Sequence, residues 1–280
     1  MNRRLKKFFD HLLFLYVPLF CIIFFILIPM LWTVITSFKL DRDIITLPVK
    51  YMPDPATLKN YSYAWINGKY SQFFFNTFFV ATVTVIIVIF FSIFLAYALS
   101  RFQFAGKKGV TVMLLATQLI PGVMLIIPLF VIFNNLGLIS TLTALIIIFV
   151  AFDLPFNSLL MKNFVDNVPF SIEESAMVDG CGRMGIIFRV IMPQLVPGMI
   201  AVGAFSFFAS WNEFLLPLII MNRPEKFTLS IGLTYMIGAY STKYGALAAG
   251  SIISLMFPLI LFGFIQKYLV QGLGAGAVKG

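Results

Sequence analysis

Charge is scarce in this chain. Only 11 % of its 280 residues are Asp, Glu, Lys or Arg, against about 25 % in an ordinary soluble domain. With 60 % of the residues hydrophobic and Phe alone occurring 33 times, one globule cannot hide so much apolar surface, and the bilayer must serve as solvent. Cysteine is nearly missing as well. Cys21 and Cys181 exclude a disulfide scaffold, and they are expected not to meet, one lying in an apolar run and the other in a charged insert. The single histidine, His11, excludes a His-rich metal site and a Ser–His–Asp triad within the membrane. No G-x-x-x-x-G-K-[ST] phosphate loop occurs, so the chain does not bind ATP in that way. The short alternating segments of an outer-membrane barrel are missing too.

What remains is a series of long apolar runs, at 12–37, 73–100, 110–133, 141–161, 199–220 and 247–266. At 1.5 Å per residue each crosses a hydrocarbon core of about 30 Å as a helix, and lipid offers no partner for a free backbone N–H. The expectation is an all-α polytopic protein of six spanning helices. Arg3, Arg4, Lys6 and Lys7 precede a first run too long for a signal peptide, so this run reads as a retained span. With the N-terminus inside, twelve basic residues fall on inner segments and eight on outer ones, which places both termini and the 162–198 loop in the cytoplasm. The net charge of +9 then reflects basic loops and anionic lipid rather than nucleic acid. The outer loop at 38–72 is rich in Pro and Tyr and is expected to be ordered, with turns near the interface.

One insert stands apart, "EESAMVDGCGRMGIIFRVIMPQLVP" at 173–197. It reads as helix, turn, helix. Ser171 is placed to cap a first helix with Glu174 as its capping-box partner, and Asp179–Gly180 ends it. Met184–Met192 carries apolar residues on one side, and Pro193 and Pro197 redirect the chain into the next span. A helix lying on headgroups favours Lys and Arg, whereas this one opens on Glu173 and Glu174. A protein partner fits it better.

The pattern Glu174-Ser175-Ala176-x-x-Asp179-Gly180 followed by Pro193-x-x-x-Pro197 resembles the EAA loop of ABC importer permeases. Ser175 and Cys181 stand in place of alanines, and Ile187 takes a position usually held by Phe. In order along the chain, "TSFK" (36–39), "NT" (76–77), "AYALSRFQFAGK" (96–107), "LGLISTLTALI" (136–146), "LPF" (154–156), "WNEFLLPLII" (211–220), "FTLSIGL" (227–233) and "QKYLVQGLGAGAVKG" (266–280) extend the likeness. Together they resemble the MalG-type permease subunit of carbohydrate ABC importers.

That resemblance implies a type I importer permease fold. An N-terminal tail, first span and outer loop would occupy 1–71, a core of five spans 72–268 with the coupling loop at 165–197, and a cytoplasmic tail 269–280. It implies no enzyme activity in this chain, with ATP and Mg held by two separate cytoplasmic ATPase subunits. It further implies a second, MalF-type permease, an extracytoplasmic sugar-binding protein and a sugar substrate. Glu173, Glu174, Ser175, Ala176, Asp179, Gly180, Arg183, Pro193 and Pro197 become the coupling residues, and Gly274, Gly276 and Lys279 a C-terminal ATPase contact.

Polar residues inside the runs are candidates for the translocation pathway: Gln118, Asp153, Asn157, Ser206, Ser210, Trp211, Asn212 and Glu213. A charged side chain at the bilayer centre costs about 2.5–3.5 kcal/mol on insertion scales, so Asp153 and Glu213 need a partner or a wet cavity. Inter-helix hydrogen bonding is the competing role for each. Trp211 reads either as a stacking face for a sugar or as a helix-end anchor. Pro121–Gly122 and Pro128 are expected to kink the third span. Other classes are a permease for a polyol, amino acid or phosphate, and an ion-coupled carrier, which has no need of the 173–197 hairpin. A membrane enzyme needs a nucleophile with its base or a metal cluster, and the residues supply neither.

Overall fold

The computed structural model describes residues 12–237 and 242–277, with side chains over 13–237 and 242–268. His11, the basic cluster at 3–7 and Lys279 lie outside the described residues. Among those described, the regular structure is helical, apart from one isolated bridge between Ile237 and Thr242. Four helices are long and apolar enough to cross a membrane, and six spans result if each of two sharply bent pairs counts as one. The chain forms two units, Met1–Tyr70 with Leu233–Leu255, and Ser71–Gly232 with Met256–Gly280.

In the first unit, helix α1 (Val17–Ser37) follows a wide helical turn at Leu12–Tyr16. Its apolar side chains are exposed almost to its end, where Thr36 and Ser37 become buried. The loop behind it is ordered, as its turn residues suggested. Lys39 is 1 % exposed, donates to the carbonyl of Lys50 at 2.5 Å and lies over the Trp32 ring. The Asn60 amide donates to the carbonyls of Ser37 and Lys39 at 2.9 and 2.7 Å.

The second unit contains most of α2 (Tyr70–Arg101), whose 32 residues exceed what a bilayer core requires. The third apolar run departs from expectation. Instead of one kinked helix, α3 (Lys107–Thr117) stops, a short turn follows at Gly122–Leu125, and α4 (Ile126–Asn135) sets off at 90°. Pro121 removes a backbone donor and pushes the residue before it out of the helical region. Pro128 falls in the first turn of α4, where an N–H has no intrahelical partner to lose, and it bends nothing.

Helix α5 (Leu142–Asp166) begins at Thr141, whose hydroxyl accepts the Ala144 N–H at 3.2 Å. The fifth run also departs from expectation: it is two helices, α8 (Val196–Asn212) and α9 (Leu215–Ile220). Glu213 is extended between them, and its Oε1 accepts the N–H groups of Leu215 and Leu216. A carboxylate that satisfies the free donors of a new helix marks a start rather than a continuation. Helix α10 (Leu229–Tyr235) precedes α11 (Tyr244–Ala277). Helix α11 continues through Gly274 and Gly276 as far as Ala277.

The hairpin consists of α6 (Phe170–Val178) and α7 (Arg183–Gln194). The expected capping box is not formed. Pro169 takes the cap position with no side-chain hydrogen bond, and Ser171 sits inside the first turn. Proline fixes the entering φ, and the Ile172 N–H turns to the Pro169 carbonyl at 3.3 Å instead of to a side-chain cap. The end of α6 matches expectation. Gly180 has φ of 81°, the Gly180 N–H reaches the Met177 carbonyl, and the Cys181 N–H reaches that of Ala176 at 2.9 Å. This is the Schellman closure, for which a residue without Cβ is favoured.

The hairpin is not an appendage. Ile186, Ile187, Ile191 and Leu195 are buried in one apolar cluster with Val88, Ile93 and Ala96 of α2 and Met161 and Val165 of α5. Arm α7 meets α8 at 77°.

Candidate functional site

The first site lies at the base of the hairpin. Glu173 is fully buried, and its carboxylate accepts from Arg101 Nε at 2.5 Å and from the Tyr97 hydroxyl at 2.8 Å. The same guanidinium donates to the Val168 carbonyl at 2.6 Å and to Ser100 Oγ at 3.2 Å. Ser100 in turn donates to Asp166, which Lys162 also holds at 2.5 Å. Three elements are thus tied together: the end of α2, the end of α5 and the first turn of α6. A buried ion pair adds little net stability against an apolar substitute, but removing one partner costs about 3–5 kcal/mol. Its worth is in geometry, since a planar guanidinium with several fixed bonds permits one orientation of α6.

The tip of the hairpin has the opposite character. Glu174 and Asp179 are exposed, and neither makes an ion pair among the described residues. Beside them Met177 is 48 % exposed and Val178 88 % exposed. Met184 and Phe188 extend the apolar exposure along α7. Carboxylates set among bare apolar side chains, on a base tied to α2 and α5, form a surface suited to a protein partner.

The second site is a cavity of about 210 Å³ beside the break in the third run. Gly122, Phe149, Phe152, Asp153, Ser210 and Glu213 are among the residues that line it. Asp153 Oδ2 accepts from Ser206 Oγ at 2.7 Å. The Ser210 hydroxyl is buried and has no hydrogen-bond partner among the described residues.

Residues 89–274 match the family described as binding-protein-dependent transport system inner membrane component. The chain belongs to this family. It is 32 % identical to the sulfoquinovosyl glycerol transport system permease protein SmoH of Agrobacterium fabrum, over 91 % of this chain and 89 % of that one. The diacetylchitobiose uptake system permease protein NgcG of Streptomyces coelicolor is 32 % identical, with coverage of 91 % and 84 %. The arabinooligosaccharides transport system permease protein AraQ of Bacillus subtilis is also 32 % identical, with coverage of 99 % and 95 %. In fold, the chain is similar to one from a crystal structure of a bacterial ABC transporter involved in import of the acidic polysaccharide alginate. That match has a TM-score of 0.82 at 20 % identity and covers 96 % and 99 % of the two chains.

Within this inner membrane component, the sequence-predicted coupling residues divide by burial. Glu174, Ser175, Asp179, Gly180, Arg183 and Pro193 are exposed. Glu173 and Ala176 are buried, which removes them from any outward contact surface. They face inward because a helix turns 100° per residue, so neighbours in sequence cannot share a face. Pro197 sits in the first turn of α8, where its missing N–H costs nothing.

The predicted pathway residues divide likewise. Asp153, Ser210 and Glu213 line the cavity, and Ser206 supports it from behind. Asn157 is buried one turn on and donates to the Asp153 carbonyl at 2.9 Å. Gln118 is exposed at the end of α3, and exposed Asn212 bonds back to the Phe208 carbonyl. Trp211 lies at the end of α8 with its ring turned into an aromatic cluster. It is 4 % exposed and stacks between Phe207 and Phe257, with ring centroids 5.3 and 5.1 Å away. The residues missed from sequence are Tyr97, Ser100, Arg101, Lys162 and Asp166. Their one signal in the sequence is a cluster of polar side chains ending two apolar runs.

Proposed function

We propose that the chain is one of two permease subunits of an ATP-driven importer for a sugar or oligosaccharide, and that the hairpin at 165–197 transmits closure of a separate ATPase pair to the spans. The observation that carries this reading is the contrast within α6. Its base is locked to α2 through Glu173 and Arg101, while its tip presents unpaired Glu174 and Asp179 with bare Met177 and Val178. A push on the tip therefore moves the α2 and α5 ends with it rather than bending the loop. The names of the sulfoquinovosyl glycerol, diacetylchitobiose and arabinooligosaccharide relatives support a saccharide substrate.

In this reading both termini and the hairpin face the cytoplasm, as the basic-residue bias supports. ATP and Mg belong to the ATPase chains. A MalF-type permease supplies the other half of the gate, and an extracytoplasmic binding protein delivers the sugar. Helix α11 carries Gly274 and Gly276 toward the ATPase, with Lys279 beyond them.

Co-purification from native membrane, followed by reconstitution with candidate binding proteins, tests the reading. An ATPase pair and a second permease should accompany the chain, and loaded binding protein should stimulate hydrolysis. A chain that purifies alone and moves solute without ATP overturns it.

A further inference from the structure

The cavity at the α3–α4 break holds unused hydrogen-bonding capacity. Ser210 is 6 % exposed and its hydroxyl has no partner among the described residues, although buried polar groups are almost always bonded. Asp153 accepts Ser206 through Oδ2, and among the described residues no donor reaches its Oδ1. Glu213 receives two backbone N–H groups on Oε1, and none reaches Oε2. An ionised carboxylate only accepts, so an occupant that completes this set must donate.

Among the described residues, no Lys, Arg or His lines the cavity. The two acids therefore set up an uncompensated negative field, which raises the local concentration of cations and repels anions. Metal ions are poorly served, since no group of three or more ligating side chains occurs among the described residues. Phe149 and Phe152 supply apolar faces. At about 210 Å³ the space is below the roughly 300–1,000 Å³ of drug-sized ligand pockets, enough for one ring and not for a chain.

We infer that this cavity is a station of the transport path that takes one neutral, hydroxyl-rich ring of the carried solute and rejects an anionic one. Ring hydroxyls donate to the free oxygens of Asp153 and Glu213 and exchange a bond with Ser210, while the ring's C–H face meets Phe149 or Phe152. The inference rests on the importer reading and adds to it the charge of the substrate.

The test uses the complete complex, with Cys21 and Cys181 changed to serine and Ser210→Cys as reporter. Labelling rates of trimethylammonium-ethyl and sulfonato-ethyl methanethiosulfonate are measured, each normalised to a free thiol. The cationic reagent should react about tenfold faster or more, the lower end of what a charged cleft achieves. Adding Asp153→Asn and Glu213→Gln should bring the rates together, and glucose should slow labelling where glucuronate does not. Equal rates in the unneutralised cavity, no labelling in any nucleotide state, or equal effects of the two sugars overturn the inference. If Ser210→Cys fails to assemble, Ala209→Cys on the same wall serves as reporter. ATP-driven uptake by the parent complex is measured alongside. Its loss overturns the importer reading, whereas uptake without charge-selective labelling overturns only the role of the cavity.

Discussion

At the base of the hairpin, the Glu173 carboxylate receives a guanidinium and a phenol, and the chain of contacts runs through Arg101 and Ser100 to Asp166 and Lys162. In the cavity, two carboxylates each keep an oxygen without a donor, and Ser210 has no partner, among the described residues. Glu173 is buried and Asp153 and Glu213 are half-buried in a chain with few charges, yet the first place is saturated and the second is not. A saturated network has one low-energy arrangement and transmits force. An unsaturated one sits higher in free energy until something enters, which suits a surface that must bind and release.

That comparison is most sharply broken at the base. Arg101→Ala leaves Glu173 buried without a counter-charge and should cost about 3–5 kcal/mol, read as a lower thermal midpoint in detergent and as ATP hydrolysis no longer coupled to uptake. Glu173→Ala with Arg101→Ala should recover part of the loss, because no lone charge is left behind. A double mutant as unstable as Arg101→Ala alone argues against the clamp.

Next in size is Gly180→Ala. A Cβ at φ of 81° costs about 1–2 kcal/mol, and the space around it is open. The effect should therefore be a modest loss of stability with coupling retained. Gly180→Pro cannot reach that φ and should uncouple hydrolysis from uptake while the protein still inserts. Thr141→Ala, which removes the cap of α5, should cost about 1 kcal/mol and alter neither site, giving a baseline for instability without loss of coupling.

The smallest stability effects are expected where function is most exposed. Ser210→Ala removes an orphan hydroxyl, so the thermal midpoint should hold or rise slightly, whereas uptake should fall. A clear drop in midpoint would mean that Ser210 is bonded and the cavity is ordinary packing. Glu174→Lys, on the exposed tip, should change stability by less than about 0.5 kcal/mol yet weaken retention of the ATPase during purification. Unchanged retention removes Glu174 as a docking contact.

Much of this was legible in the residues. Long apolar runs specify spanning helices because lipid cannot satisfy a backbone, and Asp179–Gly180 announces a left-handed turn because few other residues tolerate it. The ordered motifs point to the permease family by themselves. The exposed half of the coupling loop, Glu174 with Asp179 and Gly180, was also readable. The break at Pro121 was readable as a kink but not as a right angle, because bend size depends on what packs in the gap, here the Phe152 ring against Gly122.

What the residues alone determined is therefore local: helix, turn, apolar face, and the family to which the chain belongs. Whether an acid points inward or outward was decided only by tertiary structure. Glu173 and Glu174 are identical in chemistry and adjacent in sequence, but a 100° rotation sends one to Arg101, which lies 72 positions away in the chain, and the other to the surface. The same holds for Trp211 and Ser210. One side chain closes an aromatic stack and its neighbour is left without a bond, because burial and partners belong to the assembled helices and not to any stretch of them.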